Sequence, residues 1–230
     1  MKINSYYLKA RLFPTALTSI PTLILYNKFI APIYSEKLEG IYDVLPAITN
    51  VTFSAAIIFL LVQINRFLSK EIFQRLYFKD EIYMPTTNML LKSNNEIESS
   101  VKQNIETKIK DKFNIILLNS PEEFGDELRA RKLIVAAVSQ IRNVLRENAM
   151  LLQHNIEYGF FRNLIGGSFL ALLLSIAIVL FSNSICDFSL KNLGWILVLI
   201  YSLPILLSKV IINRYGHYYA KILYEQFLTL

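Results

Sequence analysis

Apolar positions along this chain fall in long blocks rather than singly. Four runs, 12–33, 44–65, 164–181 and 192–212, come close to or exceed the about 20 residues that a helix needs to cross a hydrocarbon core. Between the second and third runs, in 66–162, apolar residues recur instead at helical spacing among charges. The pattern predicts an all-α integral membrane protein with four transmembrane helices and a helical cytosolic insert between spans two and three. It divides the chain into 1–65, with spans one and two; 66–162, the insert; 163–212, with spans three and four; and 213–230, an amphipathic tail.

The stretch 120–181 reads as one nearly uninterrupted helix that begins in water and ends in lipid. Ser120 can cap it, Pro121 suits the first helical position, and Glu122 and Glu123 sit where the helix dipole favours negative charge. Ala130, Leu133, Ile134, Ala137, Ile141, Val144, Leu145, Leu151 and Leu152 share one face, and Arg131, Arg142 and Arg146 fall together on the opposite side. Span three opens with Gly166, Gly167 and Ser168, small residues that let a neighbouring helix come close.

The other elements are less regular. Pro14, Pro21 and Pro32 interrupt span one, so neighbours or water must satisfy the carbonyls they orphan. Lys28 reads as snorkelling to the outer interface, with a pore-lining role as the alternative. Span two is polar in its first half, at Thr49, Asn50, Thr52 and Ser54; such residues either hydrogen-bond between helices or line an aqueous path. In the insert, a helix over 66–79 breaks at Tyr83, Met84 and Pro85, with Thr86 or Thr87 capping a short turn. A charged helix follows over 96–113, and Ile115 to Leu118 reads as a single strand or a buried turn. The aromatic tail, with Tyr215, Tyr218, Tyr219, Tyr224 and Phe227, either lies on the membrane surface or packs on the insert.

Composition narrows the class. Of 230 residues, 53% are hydrophobic and mean hydropathy is +0.39, more apolar surface in blocks than a soluble core hides. The net charge of +6 follows the positive-inside rule. Arg11, Arg66, Lys70, Arg162, Lys209 and Arg214 fall on one side, while Glu36, Glu39 and Asp43 fall on the other. This predicts a bacterial inner-membrane protein with both termini and 66–162 cytoplasmic. Prolines 14 and 21 also argue against a cleaved signal peptide.

The chemistry is sparse. A lone Cys186 and two distant histidines, His154 and His217, give no metal-ligand pattern, so neither metal nor cofactor is expected. No nucleophile turn or phosphate loop occurs, Arg146 and His154 are too widely spaced for a nuclease pair, and no enzyme is expected. Lys102, Lys108, Lys110 and Lys112 interleave with acidic residues and read as a solvated helix. Arg129, Arg131, Lys132, Arg142 and Arg146 become a candidate anion site if a homo-oligomer multiplies them around its axis.

Two stretches, Pro85-Thr86-Thr87 with Leu90-Leu91, and Asn155 with Tyr158-Gly159-Phe160 and Arg162-Asn163-Leu164, resemble tags of a large set of uncharacterised bacterial membrane proteins. The whole layout resembles the membrane-channel effector of Hailong-type anti-phage systems. That resemblance, one of architecture, implies a tetrameric channel in membrane lipids, held shut by short oligonucleotides on a basic cytosolic hub. It also implies a nucleotidyltransferase encoded alongside, and membrane depolarisation when the ligand leaves. The expectation is a ligand-gated channel with Thr49, Asn50, Thr52 and Ser54 in the pore. The alternative is a non-conducting scaffold that recruits a cytosolic partner.

Overall fold

A computed structural model describes residues 5–32, 46–79 and 81–230, with the side chains of Ile30 and of 46–50 outside that description. The expected outer loop bearing Glu36, Lys37, Glu39 and Asp43 lies outside the described residues. Every regular element among those described is helical. Three helices are long and apolar enough to cross a membrane: Val51–Phe78, Ala149–Ser184 and Phe188–Leu206.

The first predicted span is not one of them. It is built from α1 (Phe13–Thr18) and α2 (Ile20–Leu25), separated at Ser19 and flanked by π-helical turns at Leu8–Leu12 and Tyr26–Ile30. Pro14 and Pro21 each occupy the opening turn of a short helix, where a missing N–H costs least. The prolines have cut the segment into pieces. The second span, α3 (Pro46–Leu68), does not stop at Asn65. It runs on through a π-helical turn, Ser69–Gln74, to Phe78, and ends where Lys79 turns left-handed at φ 41°.

The chain divides into two compact units, Met1–Phe73 with Gly159–Ser208, here the span unit, and Gln74–Tyr158 with Lys209–Leu230, here the lobe. In the lobe, α4 (Pro85–Asn88) follows an extended Met84. Thr86 and Thr87 therefore lie inside the helix, buried, and do not cap it. The Thr87 hydroxyl donates to the Glu81 carbonyl at 2.8 Å, and the Tyr224 hydroxyl donates to the Thr86 carbonyl. After α5 (Ser99–Phe113), the run Ile115 to Leu118 forms neither strand nor helix. Ile115, Leu117 and Leu118 pack against the lobe core while Ile116 is exposed.

The single long helix expected over 120–181 is three helices: α6 (Ser120–Gly125), α7 (Glu127–Val144) and α8 (Ala149–Ser184). Each start is capped by a short polar side chain that satisfies orphan N–H groups better than continued helix would. Asn119, not Ser120, caps α6, in a capping box with Glu122. Asp126 accepts from Arg129 N for α7, and Asn148 accepts from Leu151 N at 2.9 Å for α8. The last predicted span also shortens. Helix α9 (Phe188–Leu206) ends just past Pro204, and α10 (Ser208–Leu228) begins at once.

The tail therefore packs into the lobe. Ala220, Leu223, Tyr224 and Phe227 are buried with Leu90, Ile105, Ile109, Ile134, Ala137 and Ile141 in one core, and Phe227 stacks on Phe113 at 5.8 Å. Burial pushes the Tyr224 phenol pKa up. Two lysines of α5 are structural rather than solvated. The Lys102 ammonium donates to the carbonyls of Leu91 and Asn94, and burial lowers its pKa while Glu123 opposes the shift. Lys108 donates to the Leu228 carbonyl at 2.8 Å. Glu123, buried, accepts from the backbone of Lys92 and Ser93 at 2.9 and 3.0 Å.

Candidate functional site

The built site of the span unit is the proline-broken segment and the side chains that hold it. A proline has no N–H, so Pro14 cannot donate to Ala10 O and Pro21 cannot donate to Leu17 O. Each is met from another helix. Asn163 Nδ2, on α8, donates to Ala10 O at 2.6 Å, and the Tyr201 hydroxyl, on α9, donates to Leu17 O at 2.7 Å. A third helix completes the clasp. Asn65, on α3, donates to the hydroxyls of Thr15 and Thr18 at 3.2 and 3.0 Å, and all three side chains are buried. Ser69, where α3 passes into its π-helical turn, shares its proton between Arg66 O at 2.9 Å and Asn163 Oδ1 at 3.2 Å.

Two glycines make this possible. A Cβ on Gly166 would come within 2.6 Å of Asn65 O and 2.7 Å of Ser69 N, and one on Gly167 within 2.4 Å of Thr18 Oγ1. Helices α3 and α8 touch through backbone there, the close approach that small residues permit. Gly159, one turn before Asn163, faces Tyr6 and Ala10 in the same way. At the other end, Lys28 pairs with Asp187 at 3.3 Å. The Leu190 N–H and Lys28 together hold the Asp187 carboxyl pKa below its usual value.

Replacing Tyr201 by phenylalanine is expected to lower the stability of the solubilised protein by about 1 kcal/mol, because it removes a part-buried hydrogen bond to Leu17 O. Thermal unfolding in detergent measures this. A change under about 0.5 kcal/mol would mean that the carbonyl has another partner.

The arginines of α7 stand differently from the sequence expectation. Arg131 does not present an open charge. It is buried, 8% exposed, and its guanidinium donates to Glu127 at 2.7 Å, Ile82 O at 3.1 Å and Asn88 Oδ1 at 2.6 Å while lying 4.3 Å from the Tyr83 ring. Arg142, half-buried, pairs with Glu81 at 3.3 Å, a partner 61 positions away that helical spacing cannot reveal. Arg146 lies in the turn after α7, so the three do not form one helical stripe. Arg129, Lys132 and Arg146 are the exposed cations of the five.

The four polar residues of the second span are also divided. At about 100° per residue, Thr49 and Thr52 fall on one side of α3 and Asn50 and Ser54 on the other. Thr52 is exposed and Ser54 half-buried, while the side chains of Thr49 and Asn50 lie outside the described residues. Gln63 is exposed too, eleven residues and three turns beyond Thr52, hence about 20° around from it.

Among the described residues no group of three or more His, Cys, Asp and Glu could hold a metal ion. Three apolar helices long enough to span, and the clasp that joins them, fit a membrane-embedded protein whose described regular elements are all helical. No protein-family model, no curated protein and no solved structure matches the chain.

Proposed function

We propose that this protein is the ligand-gated, ion-conducting effector of a bacterial anti-phage system. In this proposal it forms a homo-oligomer with four spans in the inner membrane, the broken segment crossing as the first and the lobe and both termini in the cytoplasm. The observation that carries it is the division of polar groups in the spans. Inside one protomer, Thr15, Thr18, Asn65, Asn163 and Tyr201 are spent on the clasp. Thr52 and Gln63 instead share one exposed face of an apolar helix, and lipid there would leave the Gln63 side-chain amide unsatisfied. A water-filled path between copies would satisfy that amide. Arg129, Lys132 and Arg146, the exposed cations of the candidate five, are open to an anionic nucleotide or short oligonucleotide, and a nucleotidyltransferase encoded alongside would supply it.

Planar-bilayer current from the purified protein, with and without short oligonucleotides, tests this. Current that the oligonucleotide changes, that Thr52→Leu with Gln63→Leu abolishes, and whose ligand response is lost in the Arg129→Glu, Lys132→Glu, Arg146→Glu protein is the expected result. A silent bilayer with verified insertion would favour the second reading, a scaffold that recruits a cytosolic partner. Phe124, 95% exposed, with Leu128 and Ile116 also exposed on the lobe, is the surface that supports that alternative.

A further inference from the structure

The lobe holds a cleft of 470 Å³, within the size range of small-molecule sites, walled in part by Tyr77, Lys79, Tyr83, Asn88, Asn213 and His217. Among the described residues that line it there is no carboxylate. We infer that this cleft binds a 5′-phosphorylated nucleoside, free or as the end of an oligonucleotide, with its phosphate on Lys79.

Three observations converge on Lys79. Its backbone sits in the left-handed region, φ 41° and ψ 59°, which a residue other than glycine or asparagine adopts at a cost of about 1 kcal/mol. Backbone strain of this kind gathers at binding sites. Its ammonium lies 5.3 Å from the Tyr83 ring, and no carboxylate of the described residues pairs with it. A phosphate entering the cleft therefore meets a cation that holds no ion pair with a described residue, and lysine binds phosphate well as a point charge. Tyr77 and Tyr83 also line the cleft, and aromatic side chains accept any nucleobase by stacking.

Donors complete the wall unevenly. The Asn213 side-chain amide makes no hydrogen bond to a described residue, so it is open to a ligand, and the Asn213 backbone carbonyl lies 2.7 Å from His217 Nδ1. His217 places its other nitrogen 3.5 Å from Glu96 and is a positioning residue. Asn88 is spent, donating to Tyr83 O at 3.1 Å and accepting from Arg131. Arg129, Lys132 and Arg146 do not line the cleft, so its occupancy stands or falls apart from conduction and from the ligand site proposed on those residues.

Isothermal titration of the full chain in phosphatidylcholine nanodiscs with AMP, adenosine and ribose 5-phosphate tests the inference. AMP is expected to bind at least tenfold tighter than either fragment. Lys79→Asn, which suits the left-handed backbone, is expected to weaken AMP at least tenfold, leaving adenosine binding and the thermal midpoint unchanged. A 5′-phosphorylated dinucleotide that binds tighter than AMP would assign the site to an oligonucleotide end, and the reverse order to a free nucleotide. Equal affinity for ribose 5-phosphate, or AMP binding untouched in Lys79→Asn, would overturn the inference. So would loss of AMP binding when phosphatidylglycerol replaces phosphatidylcholine, since the cleft would then belong to lipid headgroups.

Discussion

Replacing Gly166 by valine is expected to force α3 and α8 apart and to cost about 3 kcal/mol, the upper end for overpacking a tight interior. The reason lies in what the new side chain would meet. At Gly166 the obstacles are backbone, Asn65 O and Ser69 N, and neither can swing aside as a side-chain end could. Moving α3 away breaks the bonds from Asn65 to Thr15 and Thr18 and the contact of Ser69 with Asn163. The broken first segment then loses one of its holders. Thermal unfolding in detergent reads the loss, and Gly125→Ala is the control. A Cβ there meets nothing within 4 Å, so its midpoint is expected to stay or rise slightly. A Gly166→Val protein as stable as the parent would show that α3 and α8 do not meet through these residues.

Replacing Arg131 by methionine is expected to destabilise the lobe by about 2 to 3 kcal/mol, although methionine keeps the length and helix propensity. The loss comes from Ile82 O and Asn88 Oδ1, which the guanidinium satisfies in a partly buried site. Glu127, its ion-pair partner, is 58% exposed on its side chain and rehydrates, which keeps the figure below that of a fully buried pair. The same geometry changes how a charge reversal at Arg131 is read. Any loss of ligand response in such a protein would follow from a damaged lobe, whereas reversals at Arg129, Lys132 and Arg146 act on exposed side chains. Proteolysis of the lobe at increasing urea measures the effect, and an unchanged midpoint would place Arg131 back among the free cations.

Much of the span unit was legible in the sequence because membrane physics is severe. Three apolar runs of the right length became helices long enough to span. Gly166 and Gly167 announced a close approach. The prolines of the first run announced carbonyls that neighbours or water must satisfy. Their partners were not legible. Nothing at Asn163 or Tyr201 marks it as facing residue 10 or 17, because those contacts cross 153 and 184 positions. Asn163 and Gly159 did stand in one of the stretches with family resemblance, and both turn out to touch the first segment.

The lobe was harder to read, because ion pairs there are set by tertiary contact. Arg142 looked unopposed along its own helix and is matched by Glu81. Lys102 looked solvated and is buried on two carbonyls. The long helix of 120–181 looked continuous because apolar periodicity carries over a break with little change of phase. The short polar caps at Asp126 and Asn148 decided otherwise.

The proposed function requires the lobe to lie on the cytoplasmic side of a membrane, and the single native cysteine tests this most directly. Cys186 is exposed in the turn between α8 and α9, which the proposal places on the outer side. In intact cells a membrane-impermeant maleimide is expected to label Cys186. In a Cys186→Ser, Arg146→Cys protein it is expected to label only after the membrane is opened. Labelling of residue 146 in sealed cells, or of Cys186 only in opened ones, would contradict the topology and with it the proposed function.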